Sequence, residues 1–401
     1  VSTLALEIGR EVSAPRCPTF LRWRECLREE CRALGPWAVV IATMLLAPLV
    51  TWFPMLAQLY PELHLPAYPA AIGVDFWGAH TLWLTIFAGA AAFVWPHDRW
   101  LAGAMILPGA LVFWRAYSDP VYVLVFVAGA LAMILVRTMP ERWRPRVRTL
   151  LAISGAFQAL YVLQQFYLNY DLLWGPLVGG TLIPRVQAIG TLGTVDAASA
   201  YIALTAPLVP LWALPIMIAA VVVSHSFGAM VALICGLIVH YRSRWFVWPL
   251  AGAGIFSAIV LGIIKGEQSA RPAIQRFGLN AAFAEHPWIG WGLGGWKTHV
   301  PSLQVKVGLV PHGELWAEAH SDWVQWATET GALGVVILIG WMVAHRGIFL
   351  DRMWGGALVA LGVNAGVFFP LRVVPIALVA ILLLGLAQPP LQNASHAVGG
   401  A

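Results

Sequence analysis

Uncharged apolar runs recur along nearly the whole chain, and many approach the roughly 17–25 residues that span a bilayer as a helix. Only 11% of the 401 residues are charged and 60% are hydrophobic, whereas a water-soluble domain carries about 25% charged residues. The apolar positions are continuous rather than alternating, which excludes a transmembrane β-barrel and leaves helices that satisfy their own backbone hydrogen bonds. Several of the 21 Trp residues stand near the ends of these runs, as Trp37, Trp95, Trp100, Trp114, Trp245 and Trp323 do, where an interfacial belt belongs.

The runs fall at about 37–56, 79–95, 100–114, 121–136 and 150–168. A stretch with no charge at all, 197–239, follows. Further runs lie at about 246–264, 323–344, 354–369 and 373–387. The basic segment before Trp37 and the basic loop Arg137–Arg148 belong inside by the positive-inside rule, and four crossings between them agree. The 197–239 stretch ends at Arg242 and Arg244, so it needs an odd number of crossings. Three short ones are expected, broken by Pro207, Pro210, Pro215 and the polar Ser224-His225-Ser226. The expected protein is an all-α polytopic membrane protein of about twelve transmembrane helices. Its divisions are a cytoplasmic basic segment at 1–36, a helical domain at 37–388 with a long outer loop at 265–321 between helices nine and ten, and a cytoplasmic tail at 389–401. The first run reads as a retained anchor rather than a cleaved signal.

A net charge of +5 is spread over segments between apolar runs, which argues for membrane orientation and against nucleic acid as a partner. The four cysteines, Cys17, Cys26, Cys31 and Cys235, match no zinc spacing. No metal-ligand cluster is apparent. Gly290-Trp-Gly292-Leu-Gly294-Gly295 has glycines like a dinucleotide loop but no strand before it, and reads as a tight turn.

The polar residues that can carry chemistry gather late in the chain. One group runs from Arg271 and Arg276 to Glu285-His286-Pro287-Trp-Ile-Gly290-Trp-Gly292. The other is Ala319-His320-Ser321-Asp322-Trp-Val324-Gln325 through Glu329, Gly331 and Gly334. The first resembles the Arg…Pro-x-x-Gly-x-Gly signature of the O-antigen ligase/polymerase family. The second resembles its Ala-His-Asn-x-x-Leu…Glu-x-Gly-x-x-Gly signature, with Ser321 in place of Asn and Val324 in place of Leu. Upstream, Gly190-Thr191-Leu-Gly193 followed by Asp196, Ala200 and Tyr201 is similar to the family's Gly-Thr-Phe-Gly-x-Pro-Asn element. The resemblance covers roughly residues 185–345. It departs at Ser226-Phe227-Gly228-Ala229, where the family often has Ser-Arg-Gly-Ala; the neighbouring His225 is the group available to stand in.

The resemblance implies a metal-independent glycosyltransferase, with the fold typical of lipid-phosphosugar transferases and no cofactor. It would lie in a bacterial inner membrane with its site on the periplasmic face. The donor would be a glycan on a polyprenyl diphosphate. The acceptor would be lipid A–core, which makes an O-antigen ligase and suits the twelve-helix plan best; a growing glycan would make a polymerase, and a protein hydroxyl an O-oligosaccharyltransferase. An acceptor hydroxyl attacks the anomeric carbon and the diphosphate leaves. Fixed guanidinium groups suit that leaving group, which singles out Arg185, Arg271 and Arg276, with no choice made between the last two. An imidazole titrates near neutral pH and can activate or orient the hydroxyl, which singles out His320. His225, Asp322 and Glu329 are candidates to line the site. A transporter or flippase of lipid-linked sugars is the rival of another class, although the ionisable residues cluster in one outer loop rather than at mid-membrane in two related halves.

Overall fold

The computed structural model describes residues 141–169, 194–242, 271–308, 318–351, 353–368 and 374–388, with isolated positions at 133, 136, 137, 139, 188, 190, 192, 315, 316 and 371. All belong to the unit Thr43–Ala401. The basic segment at 1–36, the runs at 37–56, 79–95, 100–114 and 246–264, nearly all of 121–136, Arg185 and the tail at 389–401 lie outside the described residues.

Every described element is helical, and no strand occurs among the described residues. A 3-10 turn, Glu141–Trp143, leads into α1, Arg144–Leu168. Pro145 lies in the first turn of α1, where a missing N–H costs nothing. About half of the expected basic loop is therefore helix. The 197–239 stretch forms α2 (Val195–Thr205), a 3-10 turn at Ala206–Leu208, α3 (Leu214–Val223) and α4 (Phe227–His240). The breaks fall where the prolines and Ser224-His225-Ser226 place them. The pieces are short, however: the ten residues of α3 rise about 15 Å, half the hydrocarbon thickness. All three are shorter than a full span, the longest, α4, having 14 residues that rise about 21 Å.

The 265–321 stretch, expected as a loop, contains two helices, α5 (Arg271–Glu285) and α6 (Gly295–Val307). Ile274, Gly278 and Ala282, each one turn from the next, form the buried face of α5. They pack with Trp291, Trp296, Val300 and Ala319. Then come α7 (Asp322–Ala344), a short α8 (Arg346–Phe349), α9 (Gly355–Val367) and α10 (Val374–Ala387). Helices α7, α9 and α10 agree with the expected runs to within about two residues, and α8 falls in the expected loop between the first two.

The buried α2 packs against α1, α3, α4 and α9. The pair α4 and α9 crosses at glycine: a Cβ on Gly236 would lie 2.7 Å from the carbonyl oxygen of Gly356, and one on Gly356 2.6 Å from that of Gly236. Such close backbone approach is how small residues join helices in lipid.

Chain direction gives the bundle two ends. Asp196 in the first turn of α2 accepts a 2.7 Å hydrogen bond from Ser226 at the start of α4. The start of α7 meets the segment after α9, with Asp322 N–H donating to Phe368 O at 3.1 Å. At the other end the Arg144 guanidinium donates to the carbonyls of Leu386 and Gln388 at 2.7 and 2.9 Å, which ties the start of α1 to the end of α10. Arg142, Arg144, Arg146, Arg148, Arg242 and Arg346 all stand at this second end, beyond or at the helix termini.

Two described helical stretches, Glu141–Leu168 and Asp322–Ala344, are long and apolar enough to cross a membrane. Both leave apolar side chains exposed at helical spacing: Ile153, Phe157, Leu160 and Tyr167 on α1, and Leu333, Val336, Ile337, Ile339 and Val343 on α7.

Candidate functional site

The site is built on an interrupted helix. At Gly331, α7 has φ 63° and ψ −165°, a backbone region open almost only to glycine. The turn carrying Pro287, Gly290 and Gly292 supplies the hydrogen bonds that the break removes. Trp291 N–H and Gly292 N–H donate to the carbonyls of Thr328 and Glu329 at 3.0 and 2.9 Å, while Ala332 N–H and Leu333 N–H donate to Pro287 O and Trp288 O at 2.8 and 3.0 Å. The two motif segments thus form one backbone seam. Gly290 is required there, because a Cβ would lie 2.6 Å from the carbonyl carbon of Glu329 and against the Thr328 oxygen.

The N-terminal half of α7 is polar and buried. Ser321 caps it, accepting from Val324 N–H at 3.3 Å. Glu329, 1% exposed, accepts from Gln325 Nε2 at 2.9 Å and from Trp296 N–H, in the first turn of α6, at 3.4 Å. Gln325 Oε1 in turn accepts from Ala319 N–H at 3.2 Å. From the other side Gln275, on α5, donates to Ala319 O at 2.8 Å.

His320 follows directly, with φ at 51°. His225, at the break before α4, has φ 51° as well. Left-handed backbone at residues other than glycine is uncommon and costly; among the described residues only Asn169, His225 and His320 show it. The His320 ring meets Trp316 edge-on at 4.8 Å. Burial pushes the imidazole well down, to about 4, and the Arg271 guanidinium pushes the same way, while the Asp196 carboxylate opposes them. The group is therefore neutral at pH 7 and able to accept a proton or a hydrogen bond.

The structure brings some of the expected residues together and separates others. Arg271, half-buried, lies within electrostatic reach of His320. Arg276 is exposed; five residues along a helix place it about 140° around from Arg271, so the two do not share one face. Asp322 uses Oδ2 to accept from Leu371 N–H at 2.8 Å, which ties it to the segment between α9 and α10. Glu329 lies on the far side of Gln325 from the Ala319 backbone. His225 is exposed beside Ser226. The element around Gly190 is held to the last turn of α1 by Gly190 N–H donating to Gln165 Oε1 at 2.8 Å.

Asp196, Ser226, Gln275 and Gln325 were not among the expected site residues. Asp196, Ser226 and Gln325 stood inside motif segments, and that was their only signal. They and Gln275 act through contacts 30 to 44 residues away or through backbone that the sequence does not display.

Arg271, which opens α5, and Asp196, in the first turn of α2, both act electrostatically on His320, and Ser226, just before α4, donates to Asp196. Helix N-termini carry partial positive charge, so with Arg271 this end of the bundle suits an anion, and the neutral imidazole offers a proton acceptor within its electrostatic reach. Among the described residues no group of three or more His, Cys, Asp or Glu side chains is placed to hold a metal ion. The chain matches no sequence model of a known protein family, and a comparison with curated proteins likewise finds no match.

Proposed function

We propose that the chain is a polytopic membrane glycosyltransferase that moves a glycan from a polyprenyl diphosphate to an acceptor hydroxyl, with lipid A–core as the favoured acceptor. The observation that carries this reading is that the Arg271 guanidinium and the Asp196 carboxylate, each at the start of a separate helix, both act electrostatically on the largely buried His320 imidazole. Arg271 and the helix ends take the diphosphate. The acceptor O–H is set against His320, which takes the proton as the oxygen bonds to the anomeric carbon; the bond from that carbon to the diphosphate oxygen breaks, and the electron pair left on that oxygen is stabilised by the fixed cation.

The membrane part of the proposal rests on the two long helices, their exposed apolar stripes and the separation of charge between the two ends. The end rich in arginine faces the cytoplasm, which puts the site on the outer, periplasmic face of a bacterial inner membrane. About twelve helical segments then traverse or enter the bilayer, α2 to α4 as short pieces buried against their neighbours. Short helices of this kind are tolerated in a membrane where protein covers their broken ends.

Purified protein in lipid nanodiscs, given a polyprenyl-diphosphate glycan and a hydroxyl acceptor, tests the reading directly. Transfer is expected without nucleotide or metal. His320→Ala and Arg271→Ala are expected to lower it by about 100-fold or more, and the exposed Arg276→Ala to stay within about twofold of the parent. Equal activity in all three variants would remove the site assignment. Passage of intact lipid-linked glycan across vesicles, with no transfer, would place the chain among transporters.

A further inference from the structure

We propose that Gln275, Gln325 and Glu329 are positioning residues: together they lock the backbone on either side of Ala319 so that His320 is held in its left-handed conformation, within electrostatic reach of Arg271 and Asp196. The proposal rests on the reading of His320 as the acceptor-activating group.

The order of donors and acceptors fixes the arrangement. The Glu329 carboxylate can only accept, so it draws the Nε2 side of Gln325 toward itself (2.9 Å). The Oε1 side of that amide is thereby turned to the Ala319 N–H (3.2 Å). Glu329 is held in its turn by Trp296 N–H in the first turn of α6, where the helix dipole favours a carboxylate. The Ala319 carbonyl, which belongs to the peptide entering His320, accepts from Gln275 Nε2 (2.8 Å). Beyond His320, Ser321 donates to Ala365 O at 3.3 Å and Asp322 N–H donates to Phe368 O. Both flanks of His320 are thus held, and the strained φ of 51° is what remains for the residue between them.

The same helix face does two things. Gln275 stands one turn after Arg271 on α5, and residues four apart share a face. The helix that grips the peptide therefore also carries the guanidinium that acts on the ring. Gln325 is fully buried and Glu329 nearly so, which keeps water from replacing these contacts. The charged groups acting on the ring are Arg271 and Asp196.

The test reads His320 itself. Full-length protein in nanodiscs, with its histidine rings labelled with carbon-13, is titrated by NMR, and the His320 signal is assigned by its loss in His320→Ala. In the parent the signal is expected to titrate near 4. Gln275→Met and Gln325→Met keep the side-chain length and lose the hydrogen bonds. In both, the His320 midpoint is expected to rise toward 6.5 as the ring is released to solvent, and kcat to fall by about 100-fold with KM for the donor little changed. Glu329→Gln, which can still accept through its amide oxygen, is expected to keep the parent midpoint. Gln275 is only half-buried, so Gln275→Met decides the matter should Gln325→Met fail to fold. An unmoved midpoint in folded Gln275→Met overturns the proposal. Absence of transfer in the parent protein would overturn the enzymatic reading instead, and the titration would still report on the lock.

Discussion

His320 combines a depressed basicity with a strained backbone, and both have measurable consequences. Its imidazole stays neutral far below the ordinary 6.5, so the acid limb of kcat/KM, which reports free enzyme, is expected near pH 4. Donor binding brings negative charge next to Arg271, which offsets the cation that helps hold the imidazole down, so the limb of kcat is expected at higher pH. Asp196 works against the depression, and Asp196→Asn is therefore expected to move the kcat/KM limb lower still. The sign for stability follows from the same shift. Between about 6.5 and 4 the unfolded chain binds more protons at this position than the folded one, so this histidine makes folding less favourable as pH falls through that window. A pH series of thermal melts with His320→Ala as reference checks it. The choice between Arg271 and Arg276 was open in the sequence only because α5 was not recognised there. Once Ile274, Gly278 and Ala282 are seen as one face, helical periodicity separates the two arginines. Asp196 and Ser226 had no such cue, since nothing local joins residues 30 apart.

Among the elements, α7 was the most legible: its bounds and its glycines stand in the sequence. What could not be read was that Gly331 interrupts it and that a turn some 40 residues earlier mends the interruption. Backbone hydrogen bonds carry no side-chain signature, so the glycines show that something approaches closely and not what approaches. Gly331→Ala is expected to be severe. A Cβ would lie 2.5 Å from the Gly290 and Ile289 nitrogens and the Trp288 carbonyl carbon, and with the φ strain the cost is roughly 3–5 kcal/mol, a large share of a domain's net stability. Gly308→Ala is the control. Its φ of 69° is also left-handed, but nothing lies within 4 Å of the added carbon, and the cost is about 1–2 kcal/mol. Thermal unfolding in detergent should rank the two. The pieces α2, α3 and α4 teach the converse. Prolines located their ends well, while their lengths depended on how α1 and α9 cover them.

At the scale of the molecule, the two-ended distribution of charge makes a topological claim. A single cysteine at Lys297 is expected to react with an impermeant reagent from outside whole cells, and one at Arg346 only after the inner face is opened; the reverse pattern would invert the orientation. The all-helical class of the described residues was legible, because continuous apolar runs admit little else. The folding of 265–321 into two helices was not, because the glycines and prolines of its turns masked a short amphipathic pattern. The seam at Gly331 also ties distant parts of the chain into one kinetic unit. The amides of Trp291, Gly292, Ala332 and Leu333 are each protected by the opposite segment. Neither segment can open alone, and these four amides should exchange with deuterium at one common rate, as members of a single foldon. A turn that unzipped freely while α7 stayed shut would show up as two rates.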